Sequence, residues 1–129
     1  MKPSEHFTLE QLADGVYAAI ATEEGGGYSN AGIIDLGDRN LIFDTFETVR
    51  VGEDLKVAAA VLIDSPLACV IISHVHSDHW CGNQAFPAQA SILSTHHTLD
   101  RSIGRGYTPN HLAVAVLRLA SQWEQMFRA

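Results

Sequence analysis

Within the six residues His74-Val75-His76-Ser77-Asp78-His79 the chain places three imidazoles and one carboxylate. Imidazole nitrogen and carboxylate oxygen are ligands suited to zinc, with iron or manganese as alternatives. The spacing has a mechanical meaning. Residues two apart in an extended segment point the same way, so His74 and His76 can converge on one ion. If the chain then turns into a helix at Asp78-His79, those two side chains can reach a second ion beside the first. Two dications about 3.5–4 Å apart can share a bridging hydroxide and clamp a carbonyl or phosphoryl oxygen. A lone histidine is usually a surface or core residue with a hydrogen bond. Four such groups packed together would repel or go unsatisfied without a metal, so packing alone accounts poorly for the tract.

The elements that must position this tract can be read around it. Leu67 to Ile72 is short and almost wholly apolar, the look of a strand buried on both faces, and it delivers the chain through Ser73 straight to His74. Before it, Val49, Leu55, Ala58, Ala59 and Leu62 approximate helical spacing from roughly Thr48 to Ile63, and Pro66 blocks any extension. Val16 to Ala21 reads as a strand. Glu23 to Asn30, with Gly25-Gly26-Gly27, reads as a hairpin loop. A phosphate cradle would lead into a helix N-terminus, and this loop leads into another strand. Ala31 to Leu36 and Leu41 to Phe43 form a second hairpin around Gly37-Asp38-Arg39-Asn40. Ser91 to Leu93 is a further strand, and Thr95 can cap a helix opening at His96-His97, so those histidines read first as a helix start, with a place near the pocket rim as the alternative. A last helix from about His111 carries Leu112, Val116, Leu119, Trp123 and Phe127 on one stripe and runs to Ala129 without a capping residue. That uncapped apolar stripe leads us to expect either a truncated domain or a homo-oligomer.

The bulk properties narrow the setting. A length of 129 residues bounds the chain to a single domain, residues 1–129. No apolar stretch approaches the roughly 20 residues of a membrane span, and the first residues lack the apolar core of a secretory signal. The expected location is cytoplasmic. A net charge of -7 and the absence of a Lys/Arg cluster argue against nucleic acid as a partner, and no membrane partner is expected. Cys69 and Cys81 form neither a C-x-x-C motif nor a disulfide framework and read as reduced, packed thiols.

The pattern His74 to His79, an HxHxDH run followed by Gly82 and Asn83, resembles the second motif of the metallo-β-lactamase-fold metallo-hydrolases. Asn40-Leu41-Ile42-Phe43-Asp44-Thr45 resembles that family's first motif, a strand ending in an aspartate. The resemblance implies an α/β (α+β) fold, half of an αββα sandwich with a mixed sheet and flanking helices. It implies that His74, His76, Asp78 and His79 bind metal, two zinc ions in a complete relative, and that Asp44 steadies the histidine loop from behind. From the residues alone, a turn or helix cap is an equal reading of Asp44. In a complete relative, metal-activated hydroxide would attack a small ester, thioester, lactone or lactam, with Asp78 steering the nucleophile or relaying a proton as the catalytic residue. The family completes its two metal sites with later histidines and a bridging aspartate that this chain does not match. After His79 only His96, His97 and His111 remain as imidazoles, none in a family-like context. A catalytic zinc normally holds three protein ligands. The alternative is therefore a non-catalytic truncated fragment or paralogue that binds metal weakly and associates through its last helix.

Overall fold

A computed structural model describes residues 4–25, 28–87 and 90–104 of the chain. Six strands form one mixed sheet in chain order: β1 (Phe7–Ala13), β2 (Val16–Ala21), β3 (Ala31–Asp35), β4 (Asn40–Phe43), β5 (Leu67–Ile71) and β6 (Ser91–Leu93). The first three pairings are antiparallel, with Ala19 opposite Ala31 and Ile33 opposite Ile42. β4 pairs with β5, and β5 with β6, in parallel. A parallel pair needs a crossover, and helix α1 (Val49–Leu62) supplies it between β4 and β5.

Helix α1 starts where the sequence reading placed it. The Thr48 side chain accepts the Val51 N–H, a cap contributing about 1 kcal/mol. Its stripe Val51, Leu55, Ala58 and Ala59 is buried against Ile33, Ile42 and Val70 on one sheet face. Phe7, Ala19, Phe46, Ile72, Phe86 and Ile92 belong to the same core. β1 was not foreseen, although its alternate residues Phe7 and Leu9 both pack against the core. Helix α2 (His96–Gly104) begins as expected, with the Thr98 N–H donating to Thr95 Oγ1 at 3.1 Å.

One expectation needs correction. The β5 strand is not buried on both faces: only Val70 is fully buried, while Cys69 and Ile71 are half-buried. Helix α1 covers one face of the sheet. Among the described residues no second layer covers the other, where Val16, Ala18, Ile34, Leu41 and Phe43 point by strand alternation. A groove of about 290 Å³ on that side includes Val16, Ala18, Gly32, Ile34 and Phe43 and reaches Asp44. The proposed last helix, with Leu112, Val116, Leu119, Trp123 and Phe127, lies outside the described residues, as does His111. No helix among the described residues is long and apolar enough to cross a membrane.

Candidate metal centre

Ligands in open α/β sheets gather beyond the carboxyl ends of parallel strands. β4 and β5 end side by side, with the Asp44 N–H donating to the Ile71 carbonyl at 2.8 Å. Asp44 therefore leaves β4 beside Ser73 and His74 leaving β5. To turn there, Asp44 takes φ +62° and Phe46 takes φ +68°. Aspartate tolerates this region comparatively well, whereas a bulky phenylalanine does so at a cost of roughly 1–3 kcal/mol. Phe46 is fully buried and stacks on Phe7 with ring centroids 5.5 Å apart, contacts that offset the cost.

The bend aims the Asp44 carboxylate, which is only 3% exposed, at the start of the histidine tract. Oδ1 accepts the Ser73 N–H at 2.7 Å, and Oδ2 accepts the Ser73 hydroxyl at 2.6 Å. The same Oδ2 lies 2.6 Å from His79 Nδ1. A proton on Nδ1 satisfies that contact and leaves His79 Nε2 as a free lone pair. Asp44 is thus neither a turn cap nor a helix cap, since its oxygens go to the tract 29 and 35 residues away.

Past Ser73, the tract turns through two short 3-10 segments, Ser77–His79 and Cys81–Ala85, rather than through an α-helix. The Trp80 indole N–H donates to the Val75 carbonyl at 2.8 Å, and the Ser29 hydroxyl donates to the Asp78 carbonyl. Ser29 ties the β2–β3 loop to the tract, a contact with no signal in the sequence.

The four sequence-designated side chains come together as two pairs. His74 Nε2 lies 3.2 Å from His76 Nδ1, and His79 Nε2 lies 3.5 Å from Asp78 Oδ2. Two atoms each about 2.0–2.1 Å from a tetrahedral zinc are about 3.3 Å apart, so either pair has the separation of two ligands on one ion. The first pair is also at hydrogen-bond distance if one ring donates. The His74 ring centroid is 3.9 Å from that of His79, which brings the pairs together. His76 is exposed, and the side chains of His79 and Asp78 are 19% and 25% exposed, so the free atoms have access to solvent. The donor set fits dications. Among the described residues, however, no three His, Cys, Asp or Glu side chains close on a single point. His97 accepts the Arg101 Nε–H at 3.4 Å within its own helix.

Two thiols flank this region. Burial pushes the Cys81 thiol up, and the negative charges of Asp78 and Glu47 push it further. Burial also raises Cys69, with Arg39 opposing.

Comparison with known proteins agrees with this architecture. The family model described as the metallo-beta-lactamase superfamily matches residues 25–121, well over half of the chain. No match emerges among curated proteins. Among solved structures, a metallo-beta-lactamase from Erythrobacter litoralis, with beta-mercaptoethanol in its active site, superposes with a TM-score of 0.69 at 22% identity. That alignment covers 82% of this chain and 49% of the other. A metallo-beta-lactamase from Hirschia baltica gives a TM-score of 0.68 at 23% identity, covering 81% of this chain and 50% of the other. Identities of this order establish the shared fold, and the chain spans about half the length of these structures. With the mixed sheet, the crossover helix and the histidine tract beyond β5 all in place, the chain belongs to the metallo-beta-lactamase superfamily.

Proposed function

We propose that the chain carries the metal-holding loop of a metal-dependent hydrolase, with His74 and His76 ligating one zinc ion and Asp78 and His79 a second. The observation that carries this reading is the pair of ligand-like separations, 3.2 and 3.5 Å, beyond the ends of adjacent parallel strands. When bound, the dications polarise a carbonyl oxygen and lower the pKa of water. Asp44 keeps a proton on His79 Nδ1 and so keeps Nε2 open toward Asp78. In this reading Asp78 is the catalytic residue and steers the nucleophile or relays a proton. Small esters, thioesters, lactones and lactams suit this machinery. The net charge of -7 disfavours nucleic acid. A cytoplasmic setting accompanies the reading, because there Cys69 and Cys81 stay reduced.

The absence of a third convergent ligand among the described residues favours a second element of the proposal. In this reading the remaining ligands come from chain outside the described residues rather than from a second copy. Without them the loop binds zinc weakly and does not turn over.

Calorimetric titration with zinc tests the first element. The parent chain takes up zinc, more weakly than a three-ligand site does, and His76→Ala weakens uptake; equal affinities for the two proteins would remove the loop from consideration. Chromogenic lactam, lactone and thioester substrates test the second. The zinc-loaded chain is expected to give no turnover above free zinc. Robust hydrolysis that disappears in Asp78→Ala would overturn the ligand shortage and indicate that a second copy closes the site.

A further inference from the structure

The bend that bears Asp44 is tied to the residues after the histidine tract by contacts that the proposed metal chemistry does not itself use. Thr45 is fully buried between the two left-handed residues Asp44 and Phe46. Its N–H donates to the His79 carbonyl at 2.9 Å, and its hydroxyl donates to Asn83 Oδ1 at 2.8 Å. The Gly82 N–H returns a bond to the Phe46 carbonyl at 3.1 Å. The approach is close enough that a Cβ on Gly82 would sit 1.9 Å from the Thr45 carbonyl oxygen. Three bonds and one backbone contact therefore set where the Asp44 carboxylate stands relative to His79. The 2.6 Å contact between Asp44 Oδ2 and His79 Nδ1 ceases to be a hydrogen bond if its ends part by about 1 Å. None of these ties ends on His74 or His76.

We propose that Thr45 and Asn83 are positioning residues for His79: they hold its ring against Asp44, so that the proton stays on Nδ1 and Nε2 stays open. They act on the Asp78–His79 half of the site and not on the His74–His76 half. The functional meaning rests on the metal-dependent reading above, but the ring state of His79 is a property of the metal-free chain. Ser73 works differently, because its hydroxyl lies 3.1 Å from His74 Nδ1 and 3.2 Å from His79 Nδ1 and so touches both halves. Thr45 and Asn83 reach only one.

The test is nitrogen-15 NMR of the histidine rings in the metal-free full chain at alkaline pH, for the parent, Thr45→Val, Asn83→Ala and Thr45→Ser, with ring signals assigned by single His→Gln variants. In the parent, His79 is expected as one tautomer with its proton on Nδ1. Thr45→Val and Asn83→Ala should give mixed tautomers at His79 while the His74 and His76 signals move much less, and Thr45→Ser should restore the parent pattern. Zinc affinity at the Asp78–His79 pair should fall about 10-fold in the first two variants, the lower end for loss of a group supporting a ligand. An unchanged His79 tautomer in a folded variant overturns the proposal, as do His74 and His76 signals that move as far as those of His79. Asn83 is only half-buried, so Asn83→Ala carries the test if Thr45→Val fails to fold by circular dichroism. A parent that takes up no zinc would defeat the metal reading and leave the tautomer result standing or falling by itself.

Discussion

Replacing Asp44 by asparagine removes a charge from the centre of the site while keeping shape and tolerance of the left-handed backbone at φ +62°. The carboxylate accepts from three donors at 2.6–2.7 Å, namely the Ser73 N–H, the Ser73 hydroxyl and His79 Nδ1. Asparagine Oδ1 can still accept the Ser73 N–H. Its amide nitrogen then faces the other two and can only donate. His79 Nδ1 must become an acceptor, so the ring proton moves to Nε2 and blocks the atom that faces Asp78. Bonds to a charged partner contribute about 1.5–3 kcal/mol and neutral ones about 0.5–1.5, so the change should cost roughly 2–3 kcal/mol of folding stability. For a chain of this size that is a fall in Tm of about 8–12 °C. Zinc affinity should fall about 10–100-fold, or about 1.4–2.7 kcal/mol. Competition with a chromophoric chelator measures the affinity, and thermal denaturation followed by circular dichroism measures the stability. An Asp44→Asn protein that binds zinc as tightly as the parent would refute the claim that this carboxylate sets the His79 ring.

Two further outcomes follow from the packing and the thiols. Gly82→Ala puts a methyl group 1.9 Å from the Thr45 carbonyl oxygen, against backbone that cannot yield, and should destabilise the fold by about 3 kcal/mol or more in urea unfolding; a loss under 1 kcal/mol would mean the bend can open freely. Because burial first and then Asp78 and Glu47 raise the Cys81 thiol, its alkylation by iodoacetamide should be slow at neutral pH and accelerate as pH rises, since only the thiolate reacts. Asp78→Asn removes one opposing charge, lowers the thiol pKa and should speed the reaction at fixed pH, as peptide mapping of the labelled chain would reveal.

The histidine tract was legible because its four side chains are adjacent in sequence, and the strand leading into it announced itself by continuous apolar character. Helix α1 was legible for a similarly local reason, the helical spacing of its apolar residues between Thr48 and Ile63 with Pro66 just beyond. Asp44 was visible only as an alternative between a cap and a support. The choice depends on a contact across 35 residues, which local sequence does not encode. Thr45, Ser29 and Asn83 were harder still, since a small polar residue after a strand or in a loop looks the same whether or not a distant partner awaits it. β1 was missed because Glu10 and Gln11 dilute its alternation and a register irregularity between Gln11 and Ala13 interrupts it. For Leu67 to Ile72, burial of the second face was overestimated, because an apolar run reports what a strand can be covered by, not what covers it.

A sheet whose spatial order repeats its chain order has a consequence for how the protein acquires its shape. The pairings from β1 to β4 join consecutive strands through short hairpin connections, the sort of closure that proceeds in microseconds. The step from β4 to β5 must wait for the whole of α1 to be threaded between them, and it is the first closure across so long a loop. Asp44 and Ser73 meet only when that closure is made. A chain that has formed only the N-terminal meander therefore still lacks the Asp44 support of His79, and that support should appear together with the docking of β5 rather than with early collapse.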